Sequence, residues 1–241
     1  MKRIIAGLVC ALTITGASAA DFFSTEKCDN LITYGARIGI NTTNRTINKN
    51  EFNYSHESWG TGFDIGGVVN FNFRDYLTIQ PGLFFESRSG RYTLMNSYQW
   101  TGENPEDLKL TETAQAGKRN SYNFTIPVMA VIGFNVTDEV RWNVEAGPYV
   151  AFVLNSKLKN EKIIPTGSDP LFNQKAASVD FGFKLGTGIK VMDHYYFGVH
   201  YLAGCVPAWK DQTVTIPGRG QATIEYGGLT KGWMFWLGFD F

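Results

Sequence analysis

The stretch GLTKGWMFWLGFDF, Gly228–Phe241, decides how the rest of the sequence is read. Counting back from the end by twos gives Phe241, Phe239, Leu237, Phe235 and Trp233, all large and apolar. The positions between them are Asp240, Gly238, Trp236, Met234 and Gly232. A period of two sends successive side chains to opposite faces of a β-strand, so this strand has one apolar face and one mixed face.

Seven further stretches upstream carry the same period. Leu31–Asn41 alternates Tyr34, Ala36, Ile38 and Ile40 with Gly35, Arg37, Gly39 and Asn41. Thr61–Arg74 sets Phe63, Ile65, Val69, Phe71 and Phe73 against Asp64, Gly66, Asn70 and Asn72. Leu77–Arg88, Asn120–Asn135, Val140–Leu154, Ser178–Val191 and Tyr195–Val206 repeat the pattern. Pro81 lacks an N–H and predicts a local bulge in the third strand. Three connections are short: Arg74-Asp75-Tyr76, Val136–Glu139 and Met192-Asp193-His194. Four are long and polar and read as loops: Thr42–Ser58, Ser89–Gly117, Asn155–Ala177 and Pro207–Tyr226, the last hairpin-like around Pro217-Gly218. Long and short connections therefore alternate strictly along the chain. This predicts an all-β fold, an eight-stranded antiparallel up-and-down transmembrane β-barrel with short periplasmic turns and long extracellular loops. The strands are long enough to cross a bilayer at a tilt, which takes roughly 9–11 residues.

Composition is compatible with this. Of 241 residues, 26 are Gly, 15% are aromatic and 18% are charged. Beyond the first twenty residues no run is long and apolar enough for a membrane helix. The slightly negative mean hydropathy is that of a chain alternating apolar and polar faces. At the N-terminus, Lys2 and Arg3 precede an apolar core, Ile4–Ile14, and the small-residue pattern Ala17-Ser18-Ala19. These are the parts of a secretory signal peptide, residues 1–20, leaving 21–241 as the barrel domain. Its removal takes two cations from a chain with 22 basic and 22 acidic residues, leaving a weakly acidic protein whose charge gives no support for a nucleic-acid partner. Cys10 lies within the signal peptide behind Val9, where a lipid-anchored protein needs a small residue. Cys28 and Cys205 are expected at opposite ends of the barrel, too far apart to bridge.

A soluble barrel with its apolar face inside is the alternative, and volume decides against it. An eight-stranded barrel has an interior just wide enough to be filled by side chains. The apolar set contains Phe63, Phe71, Phe73, Phe85, Phe124, Phe134, Trp142, Phe152, Phe181, Phe183, Phe197 and the closing-strand aromatics, besides many aliphatics. Facing water, it would form an apolar patch far above the few hundred Å² that monomers expose. Facing lipid, it is the required surface, and closure leaves no unpaired edge. Tyr34, Phe73, Tyr76, Phe134, Trp142, Tyr195, Tyr196, Trp233 and Phe241 stand near strand ends, where interfacial girdles form. The chain is therefore placed in the bacterial outer membrane, as a monomer surrounded by lipid.

Two family resemblances follow. The terminal aromatic strand resembles the closing strand of bacterial outer-membrane barrels, which implies that Trp233, Phe235, Leu237, Phe239 and Phe241 act as a signal for the assembly machinery. Tyr34-Gly35-Ala36-Arg37-Ile38-Gly39-Ile40-Asn41 is similar to the opening strand of the PorT-like outer-membrane β-barrel proteins of Bacteroidetes. Leu77-Thr78-Ile79-Gln80-Pro81-Gly82-Leu83-Phe84-Phe85 resembles their leucine-x-x-glutamine-proline-glutamate strand, with Gly82 in place of the acid. Ile126-Pro127-Val128 and Gly147-Pro148-Tyr149-Val150-Ala151 match two more of their signatures. The resemblance implies the barrel fold, and PorT itself is tied to gliding motility and type IX secretion.

Arg37, Asp64, Glu86, Arg88, Arg141, Glu145, Asp180 and Lys184 fall on the inward face, four of each sign. Charges in a low-dielectric interior persist when paired, so this set predicts a salt-bridge network filling the lumen. A conducting polar channel is the competing reading. Catalysis is not expected: of three histidines, His56 is assigned to a loop, His194 to a turn and His200 to the interior, and no Ser-His-acid set assembles. No Cys/His spacing suggests a metal, and no cofactor is implied. Loops held on a rigid scaffold carry binding function. Trp59, Tyr92, Tyr98 and Trp100 are therefore the candidates for meeting a surface ligand or a secretion-complex partner.

Overall fold

In the computed structural model, residues 23–28, 30–46, 56–100, 108–163, 177–210, 212–216, 220–224 and 227–241 are described. Residues 1–20, expected to be a signal peptide, lie outside them. Eight strands close into one antiparallel barrel: β1 (Ile32–Arg45), β2 (His56–Arg74), β3 (Leu77–Trp100), β4 (Leu108–Thr137), β5 (Val140–Ile163), β6 (Val179–Val191), β7 (Tyr195–Pro207) and β10 (Leu229–Asp240). A separate hairpin, β8 (Gln212–Ile216) with β9 (Gly220–Ile224), follows β7. The closing strand seals the sheet against the first, with Ala36 opposite Phe239 and Ile40 opposite Phe235.

The alternation is that of a molecule turned inside out. Along β6, Phe183 and Leu185 are 54% and 61% exposed, while their neighbour Lys184 is 2% exposed. Along β10, Trp233, Phe235, Leu237 and Phe239 face outward while Met234 and Trp236 are buried. Water would not tolerate the outer wall, and lipid requires it.

Strands and turns differ from the sequence reading in several places. The largest concerns Ser89–Gly117, expected as a loop. There β3 and β4 continue paired, from Ser89 opposite Asn120 up to Trp100 opposite Leu108. β5 likewise runs on to Ile163, β1 to Arg45, and β2 starts at His56. Above the apolar belt a strand has water outside, so its outward residues turn polar and the apolar signal fades while the backbone pairing persists. The expected bulge at Pro81 is absent. Pro81 faces Val128, and pairing resumes in the same register at Phe84 and Thr125. On the next seam Pro127 faces Tyr149, and pairing resumes in register at Ala130 and Ala146. Pro81, Pro127 and Pro148 cluster on adjacent strands, so missing donors coincide at one height instead of each forcing a register shift.

Among the turns, Met192 and Asp193 adopt φ of 52° and 59°, the left-handed pair that a two-residue hairpin connection needs to match strand twist. Gly228 (φ 88°) enters β10 where a β-carbon would strike the Thr46 carbonyl. Cys28 lies in the leader, whose Glu26 carbonyl accepts from the Asp75 N–H at the turn end. Cys205 is exposed near the far end of β7.

Candidate functional site

The inward face builds the interior in layers. Large lumenal side chains stand directly opposite glycines on neighbouring strands. Trp236 lies between Gly39 and Gly198, Tyr149 opposite Gly182, His200 opposite Gly186, and Arg37 between Gly238 and Gly66. A narrow barrel has no room for two long side chains at one point, and the glycines leave that room.

At the turn end, Arg141 Nη1 lies 3.2 Å from Asp75 Oδ1, partly exposed at the mouth. One step in, Asp240 receives Arg37 (Nη1 to Oδ1, 2.6 Å) and Lys190 (Nζ to Oδ2, 3.0 Å). Next, the Tyr196 hydroxyl donates to Glu145 Oε1 at 2.7 Å, and His200 Nε2 lies 3.0 Å from Glu145 Oε2. A layer of rings follows, with Phe84 and Trp236 centroids 4.7 Å apart. Lys184 Nζ lies 5.6–5.8 Å from the Phe84, Tyr149 and Trp236 rings.

Beyond it sits the densest charge cluster. Glu86 accepts from Arg88 Nε at 2.9 Å and from Lys184 Nζ at 2.9 Å. Arg88 Nη1 donates to Asp180 Oδ2 at 2.8 Å, and the Tyr149 hydroxyl donates to the same oxygen at 3.1 Å. Asp64 accepts from Asn41 Nδ2 at 2.7 Å. At the outer end, Arg119 Nε donates to Glu57 Oε1 at 3.0 Å, and Arg45 lies 5.2 Å from the ring of the buried Trp209.

Of the eight sequence-predicted lumen charges, Glu86, Arg88, Asp180 and Lys184 meet in one cluster. Arg37, Glu145 and Arg141 take partners outside the predicted set, and Asp64 is met by an amide. Glu57, Arg119, Arg45 and Trp209 had been assigned to loops or loop edges, or passed over. For Arg119 the available signal is the continued inward alternation Tyr92, Gly117, Arg119 beyond membrane height. Tyr196, expected in the outer girdle, points inward: it follows Tyr195, which takes the outward position. Among the loop candidates Trp59 is 45% exposed. Tyr92 is buried within the barrel wall instead of being offered to a ligand, because β3 is still a strand there. Tyr98 and Trp100 fall at the end of β3, and their side chains lie outside the description.

Among the described residues the lumen holds a cavity of about 20 Å³ beside Arg37, Phe84, Lys184 and Trp236 and another of about 40 Å³ nearer the turns. Each has room for one to a few waters. Among the described residues no His, Cys, Asp and Glu group has a metal-binding arrangement.

Residues 20–204 match the model of a family described as outer membrane protein beta-barrel domain. No curated protein gives a significant sequence match. Among solved structures, the chain is similar to Ail, the attachment invasion locus protein of Yersinia pestis, crystallised with the heparin analogue sucrose octasulfate. That match has 11% identity, TM-score 0.35, and covers 87% of this chain and 99% of Ail. Neisserial surface protein A is similar at 9% identity and TM-score 0.39, with 86% and 97% covered. The outer membrane protease OmpT from Escherichia coli is similar at 9% identity and TM-score 0.45, with 92% and 98% covered.

Proposed function

Since this chain belongs to the outer membrane protein beta-barrel domain family, we propose that it is a monomeric outer-membrane protein with a plugged lumen and a structural or surface-binding role. The supporting observation is the filled interior. The Phe84–Trp236–Tyr149 layer and the Glu86–Arg88–Asp180–Lys184 cluster lie one above the other across it. A pore would need a continuous wet path along the same line. A hydrolytic role is disfavoured as well, because the His200–Glu145–Tyr196 group is buried among lumenal side chains. Function then falls to the part that extends beyond the belt, the outer ends of β2, β3, β4 and β5, including the expected contact residues Trp59 on β2 and Tyr98 and Trp100 on β3. The protein inserts through the outer-membrane assembly machinery, reading Trp233, Phe235, Leu237, Phe239 and Phe241.

Planar-bilayer recording tests this reading. The purified chain is expected to give no unitary currents, and a stable conductance would overturn the plug. The resemblance of four strands to PorT-like proteins supports a second reading, a subunit of a secretion machine. A stoichiometric partner co-purifying from native membranes would favour it over the stand-alone role.

A further inference from the structure

Two rows of side chains on the lipid-facing wall enclose a trough. One row crosses the strands as Trp142, Ile189 and Phe197. The row above it runs Thr187, Val199 and Phe235. Between them lie Gly188, Gly198 and Trp236, paired side by side, whose positions belong to the inward face. The floor is therefore backbone. Both rows line a hollow of about 390 Å³. Thr187 and Val199 are its small members, and the rings of Trp142, Phe197 and Phe235 stand around them. The polar groups at the Trp142 end are already satisfied. The Trp142 indole N–H donates to Thr187 Oγ1 at 2.6 Å, and that hydroxyl donates to the Asn143 carbonyl at 2.8 Å. These bonds fix the indole on the wall, with the Phe134 ring centroid 5.4 Å from its own. The trough thus offers apolar surface of set shape.

Its position in the wall identifies the occupant. Trp142 stands roughly 10 Å along the strand from Glu139 in the β4–β5 turn, so the trough lies in the leaflet on the turn side. Hydrocarbon gives apolar surfaces no drive to leave it, and close fit decides what stays bound there. A flexible acyl chain can follow a slot walled by rings and branched side chains. The rim below sets the headgroup. The β4–β5 and β6–β7 turns are joined there, the Met192 N–H donating to the Glu139 carbonyl at 2.7 Å. Asp138, Glu139 and Asp193 are exposed on them, and neither Val136–Glu139 nor Met192–His194 contains lysine or arginine. The nearby Arg141 and Lys190 are each held in an ion pair, with Asp75 and Asp240. An acidic rim favours a headgroup that ends in an amine and repels one of net negative charge. We propose that the trough binds an acyl chain of a zwitterionic, amine-bearing phospholipid in the turn-side leaflet. The inference rests on the membrane placement proposed above and is independent of whether the lumen conducts.

The test uses the full chain reconstituted in vesicles of equal phosphatidylethanolamine and phosphatidylglycerol. After transfer to mild detergent, the lipid retained on the protein is counted by native mass spectrometry. The unaltered chain is expected to keep phosphatidylethanolamine over phosphatidylglycerol by about fivefold, the effect of one cation beside an anionic surface. Val199→Phe fills the trough without touching the Thr187 bonds and should lower retention roughly tenfold through lost packing contacts. Leu83→Phe, at a lipid-facing position on β3 across the barrel, should leave retention unchanged. D138N/E139Q/D193N should keep the lipid but lose the preference between headgroups. Only variants that still migrate differently before and after boiling are scored, which separates a failed barrel from a failed site. Full retention by Val199→Phe, equal retention of the two lipids by the unaltered chain, or an undiminished preference in the triple variant would overturn the proposal. A lipid-free dimer of the unaltered chain that Val199→Phe dissociates would also overturn it, assigning the trough to a second copy. Each of these failures leaves the plugged-lumen reading standing, since none of them depends on conductance.

Discussion

Glu86→Gln asks whether the lumen is held by compensated charge. Glu86 is fully buried and accepts from two cations, Arg88 and Lys184. Glutamine keeps the shape but removes the charge and one acceptor oxygen. Arg88 still has Asp180. Lys184 is left with the faces of Phe84, Tyr149 and Trp236. Breaking a buried pair by removing one partner costs about 3–5 kcal/mol, and Asp180 puts this case near the lower end, at about 3 kcal/mol. The assay is reversible urea unfolding in lipid vesicles, followed by tryptophan fluorescence. The control is Arg141→Ala at the partly exposed mouth, expected to cost no more than about 1 kcal/mol. The double variant E86Q/K184M replaces the stranded ammonium with an apolar side chain of similar length and is expected to recover about 1 kcal/mol or more. If Glu86→Gln costs no more than Arg141→Ala, water already screens the cluster and the plug reading is wrong.

Leu237→Arg, at a 55% exposed position on β10, should cost roughly 2–4 kcal/mol if it faces the bilayer midplane. A neutral result in the same unfolding assay would mean that the face is not lipid-exposed. Trp236→Ala removes the ring packed on Phe84 and is expected to cost about 3–5 kcal/mol. It should also introduce unitary currents in planar bilayers, and an equally silent variant would show that another layer seals the lumen. Arg119→Ala and Lys118→Ala contrast adjacent residues. The first strands the buried Glu57 at a cost of about 3–5 kcal/mol, while the second, on the outside, should stay within about 1 kcal/mol. Equal costs would refute the continuation of β3 and β4 above the membrane.

The membrane part of the fold was legible because lipid outside and packed polar groups inside make every second residue chemically opposite to its neighbours. Above the belt that contrast disappears. Arg91 and Tyr92 are adjacent in a polar stretch, and nothing in their composition says that one faces water while the other is buried. Lys118 and Arg119 are both basic, yet the first is exposed and the second lies against Glu57. Extending the strand period through Ser89–Gly117 would have separated them, but polar residues on both faces read as a loop. Residue type alone puts both Tyr195 and Tyr196 at the membrane interface, whereas strict alternation sends Tyr196 inside. Trp209 carries no periodic signal, since it follows β7 in a non-repeating segment and is held by the backbone pairing of Ala208 with Gly228 and Ala177.

Pair partners were the other missing information, and the closing strand shows why they matter. Read alone, Trp236 is an anomaly among Gly232, Met234, Gly238 and Asp240, a large ring on a face meant for a narrow lumen. The register puts Gly39 on one side of it and Gly198 on the other. A β-carbon on Gly39 would come within 3.0 Å of the indole, and one on Gly198 would strike the Tyr196 hydroxyl. Several glycines on the inward face are therefore the complement of particular rings on the neighbouring strand or two residues along the same strand. A single strand's pattern shows that large and small residues share the lumen. Only the pairing of the strands shows which small residues, Gly39, Gly186, Gly188 and Gly198 among them, make room for an identified large ring, and so how a barrel of this size is filled.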